Sequence, residues 1–354
     1  MRFGEALREA WRDIATGAGR SVTFTLLFAV VAGGIVLAAG LSSATAVRDA
    51  REFVASGAAI YVMKASGGID GRACDAMSSL ANVGASGAIR EQTEGVSSSR
   101  LPRTPISLFA VSRGFMALLP FDGEANGGGL SLSKDAATTL GATAGQDLET
   151  TRGITRVASV FDYPDDGRDP LLSFAATEVV AGEAAFDQCW AMIWPHDENA
   201  VAALGRAVLP GRGDRADRPV LVQLNQTNGS RFVASSTFNR SVAGILVVAA
   251  GAVLGAAFVL RRRLALASDR HVGVSRLAQV VSQSAQVLLW AAVGSLVAMA
   301  AVIVALRLAD EDRIPIIQQS LTLALAGGGA AVASCAVAVC IVRDAALFRY
   351  FKQR

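Results

Sequence analysis

The stretch Ser21–Leu41 reads SVTFTLLFAVVAGGIVLAAGL and carries no charged residue. A helix that crosses the hydrocarbon core of a membrane needs about 20 mostly apolar residues, so this stretch predicts a transmembrane helix. Three further runs meet the same requirement, namely Ser241–Leu260, Leu277–Leu306 and Gln319–Val342. The sequence therefore predicts a membrane protein with four transmembrane α-helices. A long and more polar segment, Ser42–Arg240, separates the first helix from the second.

The overall composition agrees with a chain that is part membrane and part water-exposed. Of its 354 residues, 52% are hydrophobic and 18% are charged, against about 25% charged residues in soluble domains. The formal net charge of +3 gives no indication of nucleic acid as a partner. The positions of the basic residues are more informative than their total.

Basic residues cluster at one end of each predicted span. They precede the first span, lie between the second and the third, and follow the fourth, whereas the short segment ADEDRIPIIQQS between spans three and four is acidic. By the positive-inside rule both termini are cytoplasmic, and the long inserted segment is extracytoplasmic at the plasma membrane. The basic residues are Arg2, Arg8, Arg12 and Arg20, then Arg261, Arg262, Arg263, Arg270 and Arg276, and finally Arg343, Arg349, Lys352 and Arg354.

The residues before the first span have a helical pattern. Phe3, Leu7, Trp11 and Ile14 fall on one face, so we expect an amphipathic helix along the inner surface of the lipid bilayer. A cleaved signal peptide is the alternative. It is disfavoured because the apolar run exceeds the usual length of about 7–15 residues and the preceding segment carries acids as well as bases.

These features divide the chain into predicted segments. They are an amphipathic cytoplasmic helix over 1–20, the first span over 21–43, an extracytoplasmic domain with its stalk over 44–238, the second span over 239–260, a cytoplasmic segment over 261–280, the third span over 281–306, a short external loop over 307–318, the fourth span over 319–342 and a cytoplasmic tail over 343–354.

Small residues are frequent in all four spans. Gly251 and Gly255 form a GxxxG pattern in the second span. Such a pattern marks a close helix–helix contact, including a dimer interface, or arises by chance in a span so rich in Gly and Ala.

The extracytoplasmic segment predicts an α/β (α+β) domain, because it opens on a strand, a helix and a second strand. Ala44–Ser56 is expected to extend the first helix as a stalk, and the second span is expected to continue into the domain as well. The predicted elements are strands over Ala59–Lys64, Gly84–Arg90, Trp190–Trp194 and Pro219–Leu224, and helices over Asp70–Ala81, capped by Asp70, and Glu198–Val208, capped by Asp197.

Four cysteines fall into two pairs. Cys335 and Cys340 lie in an apolar run, where cysteine behaves as a small buried hydrophobe. Cys74 and Cys189 lie in the extracytoplasmic segment, and such a pair in an oxidising compartment is a disulfide candidate.

Motifs for enzymatic chemistry are absent from the sequence. It contains two histidines, no cluster with metal-ligand spacing and no GxxxxGK[ST] loop. The sequence therefore predicts neither a catalytic site nor ATP hydrolysis by this chain itself. The acids Asp165 and Asp166 are predicted to be solvated charge in a turn. Asn225-Gln-Thr and Asn228-Gly-Ser match glycosylation acceptors, a weak pattern. The central part of each span carries no ionisable residue, which argues against a proton-driven transporter.

Two stretches are notable beside the order of one span, an exported domain and three spans. The first stretch is LSLSKDAATTLGATAGQDL, Leu130–Leu148, and the second is RRRLALASDRHVGVSR, Arg261–Arg276. Together with that order they resemble the permeases of the MacB/FtsX superfamily of ABC transporters. The first is similar to a segment of MacB-type exported domains through Ser133, Ala137, Leu140, Gly141 and Gly145, although Gln146 offsets the following Asp147 by one position. The second is similar to the family's cytoplasmic segment and its Gly-x-Ser-Arg turn, here Gly273-Val274-Ser275-Arg276.

The resemblance implies a permease subunit with an exported domain of MacB periplasmic-core type. A separate ABC ATPase would bind ATP and Mg²⁺, a second identical or related permease chain would complete the dimer, and this chain would hold no cofactor. ATP-driven movement would pass through the cytoplasmic segment over 261–280, called the coupling segment below. From there it would pass through helices one and two to the exported domain. The residues expected to contact the ATPase are Arg261, Arg262, Arg263, Leu264, Asp269, Gly273, Val274, Ser275 and Arg276.

The implied activity is efflux or extraction of a peptide, lipid-linked or toxic substrate by mechanotransmission, with the exported domain in contact with an extracytoplasmic protein or substrate. One alternative is an FtsX-like regulator of cell-wall hydrolases. Another is a receptor or scaffold that transports nothing. The arginine cluster also has an alternative explanation, because orientation signalling and contact with phospholipid headgroups need the same residues.

Overall fold

The computed structural model describes residues 8, 11–13, 20–99, 103, 105–123, 128–151, 153–180, 185–210, 218–234, 238–306 and 310–342. Most of the amphipathic helix predicted over 1–20 and the tail predicted over 343–354 lie outside these residues. The chain divides into two compact units, a helical unit formed by 1–49 with 234–354, and an inserted domain, Ala50–Val233.

The described α-helices and strands have the following bounds. The helices are α1 (Ser21–Ala55), α2 (Gly71–Ala76), α3 (Lys134–Leu140), α4 (Glu198–Ala203), α5 (Arg240–Arg261), α6 (Arg263–His271), α7 (Arg276–Ala305) and α8 (Asp310–Ile341). The strands are β1 (Ile60–Asp70), β2 (Val83–Glu91), β3 (Ser107–Val111), β4 (Phe121–Gly123), β5 (Leu130–Ser133), β6 (Asp147–Thr150), β7 (Gly153–Phe161), β8 (Ala175–Val179), β9 (Ala185–Ile193) and β10 (Val220–Gln223).

Four helices among the described residues, α1, α5, α7 and α8, are long and apolar enough to cross a membrane. The prediction of four apolar spans and a mixed α/β domain is therefore confirmed. The first helix also runs through the predicted stalk to Ala55, giving it 35 residues. The second span was also expected to continue into the inserted domain, but α5 begins only at Arg240. The Asn239 side chain caps it by accepting the Ser241 N–H at 2.8 Å.

Residues 310–318 are helical and form the first turns of α8. The sequence had predicted them as part of an external loop. Two interactions explain the longer helix. Arg313 donates from Nη2 to the Leu306 carbonyl at 2.9 Å, at the end of α7. Ile316 is 4% exposed and packs in a cluster with Val36 and Val302, so this turn contributes buried apolar surface.

The GxxxG pattern forms a contact within the chain. A Cβ at Gly251 would lie 2.1 Å from the Gly327 carbonyl oxygen of α8, and one at Gly255 would lie 2.1 Å from the Ala331 carbonyl oxygen. The two helices therefore approach each other at backbone distance, as small residues allow. The Gly251–Gly255 stripe of α5, which suggested a dimer interface, is therefore covered by α8 of the same chain.

The inserted domain is built on a mixed sheet with the strand order β10-β1-β9-β2-β3-β8-β5-β7-β4, and β6 pairs with β7. β3 and β8, and β5 and β7, pair in parallel, and the other described pairs are antiparallel. The predicted opening unit of two strands and a helix is present, but β9 lies between β1 and β2. The return of β9, more than a hundred residues later in the sequence, could not be read from the local pattern.

Both faces of β1, which lies between β9 and β10, are buried over its first residues. Alternate residues of β1 belong to different clusters, with Ile60 and Val62 beside Trp190 on one face, and Tyr61 and Met63 on the other. This alternation is the two-residue period of a strand. A strand covered on both faces holds its register firmly, because a slip by one residue would exchange the two sets.

The structure joins Cys74 at the end of α2 to Cys189 on β9. The S–S distance is 1.99 Å, the Cα–Cα distance is 5.8 Å, and both residues are fully buried. These were the two cysteines paired as a candidate in the sequence. α2 is shorter than the predicted helix and continues as a 3₁₀ turn over Met77–Ser79, while its predicted cap Asp70 accepts the Arg72 N–H at 2.9 Å.

Candidate coupling site

The segment between the second and third candidate spans folds into a short helix between two breaks. Arg262 leaves the helical conformation, with φ −102° and ψ 7°, and separates α5 from α6. Gly273 has φ +95°, which a residue with a side chain rarely adopts, and it turns the chain after α6. Ser275 then starts α7, because its Oγ accepts the Ala278 N–H at 3.3 Å. The turn predicted at Gly273-Val274-Ser275-Arg276 is present.

Arg262 is the centre of a polar network inside the helical unit. It donates from Nη1 to the Oε1 atoms of Gln286 and Gln283 on α7, at 3.0 and 3.2 Å. It also forms an ion pair with Asp13 at 2.5 Å, and Gln286 donates to the same carboxylate oxygen at 3.1 Å. Arg262 therefore connects the break before α6 to α7 and to the N-terminal residues.

Arg270 connects the other end of α6 to the end of α8. It donates from Nη2 to the Val339 carbonyl at 2.6 Å and from Nη1 to the Val342 carbonyl. Its Nε donates to Gln279 Oε1 at 2.7 Å, and Gln279 in turn donates to the Leu266 carbonyl at 2.8 Å. A guanidinium at a helix C-terminus satisfies carbonyls that have no partner within the helix and interacts favourably with the helix dipole.

The residues predicted to contact an ATPase fall into two groups. Arg261, Gly273, Ser275 and Arg276 are exposed. Arg262, Arg263, Leu264, Asp269 and Val274 are half-buried, and Arg262 is engaged in the network above. The neighbouring residues Leu266 and Ala267 are buried in a cluster that includes aromatic residues of α1, α5 and α7. One face of α6 thus packs on the helical unit and the other is exposed.

Asp269 lies on α6 near two charged groups. Burial raises the pKa of its carboxyl group, the Arg262 guanidinium lowers that pKa, and the Asp13 carboxylate raises it. The net direction is upward, so partial burial outweighs the arginine. Two carboxylates near one guanidinium compete for its positive charge.

Four residues of this network were not singled out in the sequence, namely Asp13, Gln279, Gln283 and Gln286, and Arg270 was named there only among the basic residues that set the orientation. The three glutamines carry a detectable signal, because their spacing of four and three residues puts them on one face of α7 in an otherwise apolar run. All three are at most 4% exposed. A polar stripe on an apolar helix indicates polar partners inside the bundle, since buried amides need hydrogen bonds.

The first stretch that carries the resemblance, Leu130–Leu148, has a structural explanation at four of its five matched positions. Ser133 caps α3 by accepting the Ala136 N–H at 3.4 Å, and Ala137 is buried. Gly141 ends α3 with φ +63°, and Gly145 turns the chain with φ +85° before β6. An open cavity of about 780 Å³ lies beside α3, lined in part by Lys134, Thr138, Phe161 and Asp162.

Among the described residues, no group of three or more His, Cys, Asp or Glu side chains is arranged to hold a metal ion.

No family model and no curated protein matches the sequence. The structure is similar to the periplasmic region of MacB from Actinobacillus actinomycetemcomitans, with 9% identity and a TM-score of 0.33, covering 45% of this chain and 88% of the other. It is also similar to the extracellular domain of the noncanonic ABC-type transporter YknZ from Gram-positive bacteria, with 11% identity and a TM-score of 0.31, covering 47% of this chain and 99% of the other. At such identities no residue role carries over from either neighbour to this chain.

Proposed function

We propose that the chain is the permease subunit of an ABC transporter and works with a separate ATPase chain. The carrying observation is α6, a short helix between two candidate spans with one face exposed. Arg262 and Arg270 connect its two ends to α7, to the end of α8 and to Asp13. A displacement applied to the exposed face of α6 therefore acts on several elements of the helical unit together. ATP and Mg²⁺ are bound by the ATPase, and this chain carries no cofactor and no catalytic residue.

In this proposal both termini and α6 face the cytoplasm, and the inserted domain lies outside the plasma membrane. Closure of the ATPase moves α6, and the movement reaches α1 through the packed bundle, in which Phe24 and Phe28 of α1 lie against Trp290 of α7 with ring centroids 5.8 and 5.6 Å apart. α1 is one continuous helix of 35 residues, so it is the element suited to carry motion outward.

The work is done on the outer side, by extraction or efflux of a peptide, lipid-linked or toxic molecule. The spans suit this role because they are apolar and provide no charged route for a passenger. A second permease chain, identical or related, pairs with this one in the bilayer. It meets a face other than the Gly251–Gly255 stripe, which α8 covers.

The test is co-purification of the full chain with candidate ATPases encoded beside its gene, in mild detergent. Combined Arg261→Glu and Arg276→Glu substitutions reverse two exposed charges next to α6 and are expected to reduce ATPase recovery at least about tenfold, since like-charge contacts across an interface are costly. Arg240→Glu is the matched control, an exposed charge at the other end of α5.

Recovery of an ATPase that the double variant leaves unchanged would show that the contact lies elsewhere than at α6. Recovery of no ATPase under any of the conditions would favour a receptor or scaffold. If the ATPase associates and its hydrolysis rate responds to a cell-wall hydrolase but to no transported molecule, the FtsX-like alternative replaces efflux.

A further inference from the structure

The C-terminal end of α1 lies within the inserted domain, and its backbone closes in a defined pattern. Gly57 adopts φ +76°, and its N–H donates to the Val54 carbonyl at 3.1 Å. The Ala58 N–H donates to the Phe53 carbonyl at 3.2 Å. This pair of bonds, with a glycine of positive φ, is the Schellman motif of a helix end. The motif leaves the next two carbonyls, at the very end of the helix, without a donor from the local backbone.

Two side chains from distant parts of the domain satisfy those carbonyls. Arg168 donates from Nη2 to the Ala55 carbonyl at 2.8 Å. Asn225 donates from Nδ2 to the Ser56 carbonyl at 3.0 Å and to the Asp166 carbonyl, also at 3.0 Å. Arg168 is 8% exposed and Asn225 is fully buried. The end of the helix is thus bonded to the loops that precede and follow other strands.

The position of Arg168 is itself fixed by several contacts. Its Nε and Nη2 donate to the two carboxylate oxygens of Asp166 at 2.8 and 2.7 Å. Its guanidinium carbon lies 5.1 Å from the centroid of the Tyr163 ring, within the range of a cation–π contact. The Arg168 guanidinium holds the pKa of Asp166 below its usual value, chiefly through their hydrogen bonds. Asp166 is therefore bonded to Arg168, and the prediction of a solvated charge at this position is wrong.

The two matches to the glycosylation pattern have a different role in the structure. Asn225 is inaccessible, and its Oδ1 accepts the Thr227 N–H at 3.0 Å, so its amide is engaged on both sides. Asn228 donates from Nδ2 to Ser56 Oγ at 2.9 Å. Both asparagines therefore hold the residue that follows α1.

An aromatic cluster also contacts the helix end. Phe53 on α1 lies 5.8 Å from the Trp194 ring and 5.6 Å from the Phe232 ring, and the last two rings are 5.3 Å apart. Ala58 and Ala59 are buried in the same cluster. The end of α1 is thus contacted by a polar set of side chains and by an apolar set.

We propose that these side chains form a clamp, defined by Arg168, Asp166, Asn225, Phe53, Trp194 and Phe232, that fixes the end of α1 to the sheet of the inserted domain. Helix ends ordinarily fray, and a frayed turn would absorb a displacement of the helix. The clamped end passes directly into β1 at Ile60, whose N–H donates to the Gly57 carbonyl at 3.0 Å. Movement of α1 therefore enters the domain at β1, which pairs with β9 and β10. The proposal depends on the proposed function only for the origin of that movement.

The clamp is tested first by hydrogen–deuterium exchange on the unmodified full chain in detergent or nanodiscs. The amides of Ser56, Gly57 and Ala58 are expected to exchange as slowly as those of the central strand β9. Exchange as fast as that of an exposed loop would overturn the proposal, because it would show a frayed helix end. This measurement needs no variant and no ATPase.

Three variants then separate the clamp from a general contribution to stability. Arg168→Gln removes the charge and is expected to accelerate exchange over 53–58 at least about tenfold. Arg231→Gln is the matched control, because Arg231 forms an ion pair with Glu198 at 2.6 Å whose side chains are 64% and 74% exposed. Arg168→Lys keeps a cation beside Asp166 but lacks the fork that reaches the carboxylate and the Ala55 carbonyl together.

Arg168→Lys is expected to regain much of the melting temperature of the inserted domain while exchange over 53–58 stays fast. Wild-type protection in Arg168→Lys, or an equal loss of protection across the whole domain, would contradict the clamp. If Arg168→Gln does not fold, Arg168→Lys and the unmodified chain still decide. Since ATPase binding enters none of these measurements, loss of the proposed function would leave their outcome unchanged.

Discussion

Two arginines in different regions of the molecule donate to carbonyls at the C-terminal ends of long helices. In the inserted domain, Arg168 donates to the Ala55 carbonyl at the end of α1. In the helical unit, Arg270 donates to the Val339 and Val342 carbonyls at the end of α8. Both interactions place a positive charge where the helix dipole is negative. The same chemistry thus closes one helix in each unit.

The two arginines differ in their other acceptor and in their burial. Arg168 is nearly buried and bonds the carboxylate of Asp166 through two donors, whereas the half-buried Arg270 bonds the neutral amide oxygen of Gln279. Removing Arg168 would leave the ionised Asp166 carboxylate, whose side chain is 29% exposed, without its bidentate partner, whereas removing Arg270 would leave neutral oxygens on residues that are at most 3% exposed. The inserted domain therefore ties its helix end to a carboxylate, and the coupling segment ties its helix end to buried neutral oxygens.

The largest effect is expected from Arg168→Met. It should lower the free energy of unfolding of the inserted domain by about 2–3 kcal/mol, since the Asp166 carboxylate and the Ala55 carbonyl would both lose their charged donor. The measurement is urea denaturation of the full chain, followed by tryptophan fluorescence. Arg231→Met removes an exposed ion pair and should cost less than about 1 kcal/mol. Equal losses in the two variants would mean that the Arg168 pair is effectively solvated, and the contrast with Arg270 would fail.

A second variant asks whether the end of α8 depends on Arg270 or on packing along the helix. In Gly251→Ala the new Cβ would lie 2.1 Å from the Gly327 carbonyl oxygen, so α5 and α8 must separate. We expect overpacking to cost about 1–3 kcal/mol, measured as a lower melting temperature of the full chain in detergent. Gly244→Ala is the control, because its nearest neighbour would be 3.8 Å away, on Leu323. An unchanged melting temperature would show that the close approach of α5 and α8 at Gly251 is not needed for stability.

The sequence predicted those features of the fold that depend on short stretches. The four apolar spans follow from composition, and the caps at Asp70 and Asp197 follow from residue type at a helix start. The extension of the first helix to Ala55 followed from its uninterrupted pattern. Local signals of this kind need no knowledge of distant partners.

Long-range pairing was not predictable in the same way. The Arg168–Ala55 bond joins residues 113 positions apart, and the position of β9 between β1 and β2 also depends on distant pairing. The candidate coupling site lies between these cases. Its segment was found from the clustered arginines, but the inward role of Arg262 required the glutamine stripe on α7 to be recognised as buried.

Arg270→Met tests the end of α8 directly. The loss of charge-assisted bonds to neutral oxygens is expected to cost about 1.5 kcal/mol, less than Arg168→Met. The measurement is the melting temperature of the full chain in detergent, with Arg276→Met, an exposed arginine at the start of α7, as control. A loss as large as that of Arg168→Met would show that buried neutral oxygens depend on their arginine as strongly as a carboxylate does, and the two regions would no longer differ.

The smallest effect concerns two carboxyl groups, Asp166 beside Arg168 and Asp269 near Arg262. Their pKa values are shifted in opposite directions. The pKa of Asp166 is lowered from 3.8 by Arg168, so the ionised form is the stabilising one and its contribution is lost as the pH falls below 3.8 toward the folded pKa. The pKa of Asp269 is raised from 3.8 by burial, so its protonated form is favoured in the folded state. Stability from Asp269 is present below 3.8 and declines as the pH rises through the raised pKa.

Asp269→Asn should therefore increase the melting temperature of the full chain slightly at pH 7, because a half-buried carboxylate is replaced by a neutral amide. The increase should shrink as the pH falls through the raised pKa and vanish below 3.8, where the carboxyl group is protonated in the folded and the unfolded chain. Melting temperatures of wild type and variant across this range give the difference, which removes the contributions of all other acids. A variant that is less stable at pH 7 would mean that Asp269 gains more from Arg262 than it loses by burial, and the coupling segment would then use a paired carboxylate as the inserted domain does.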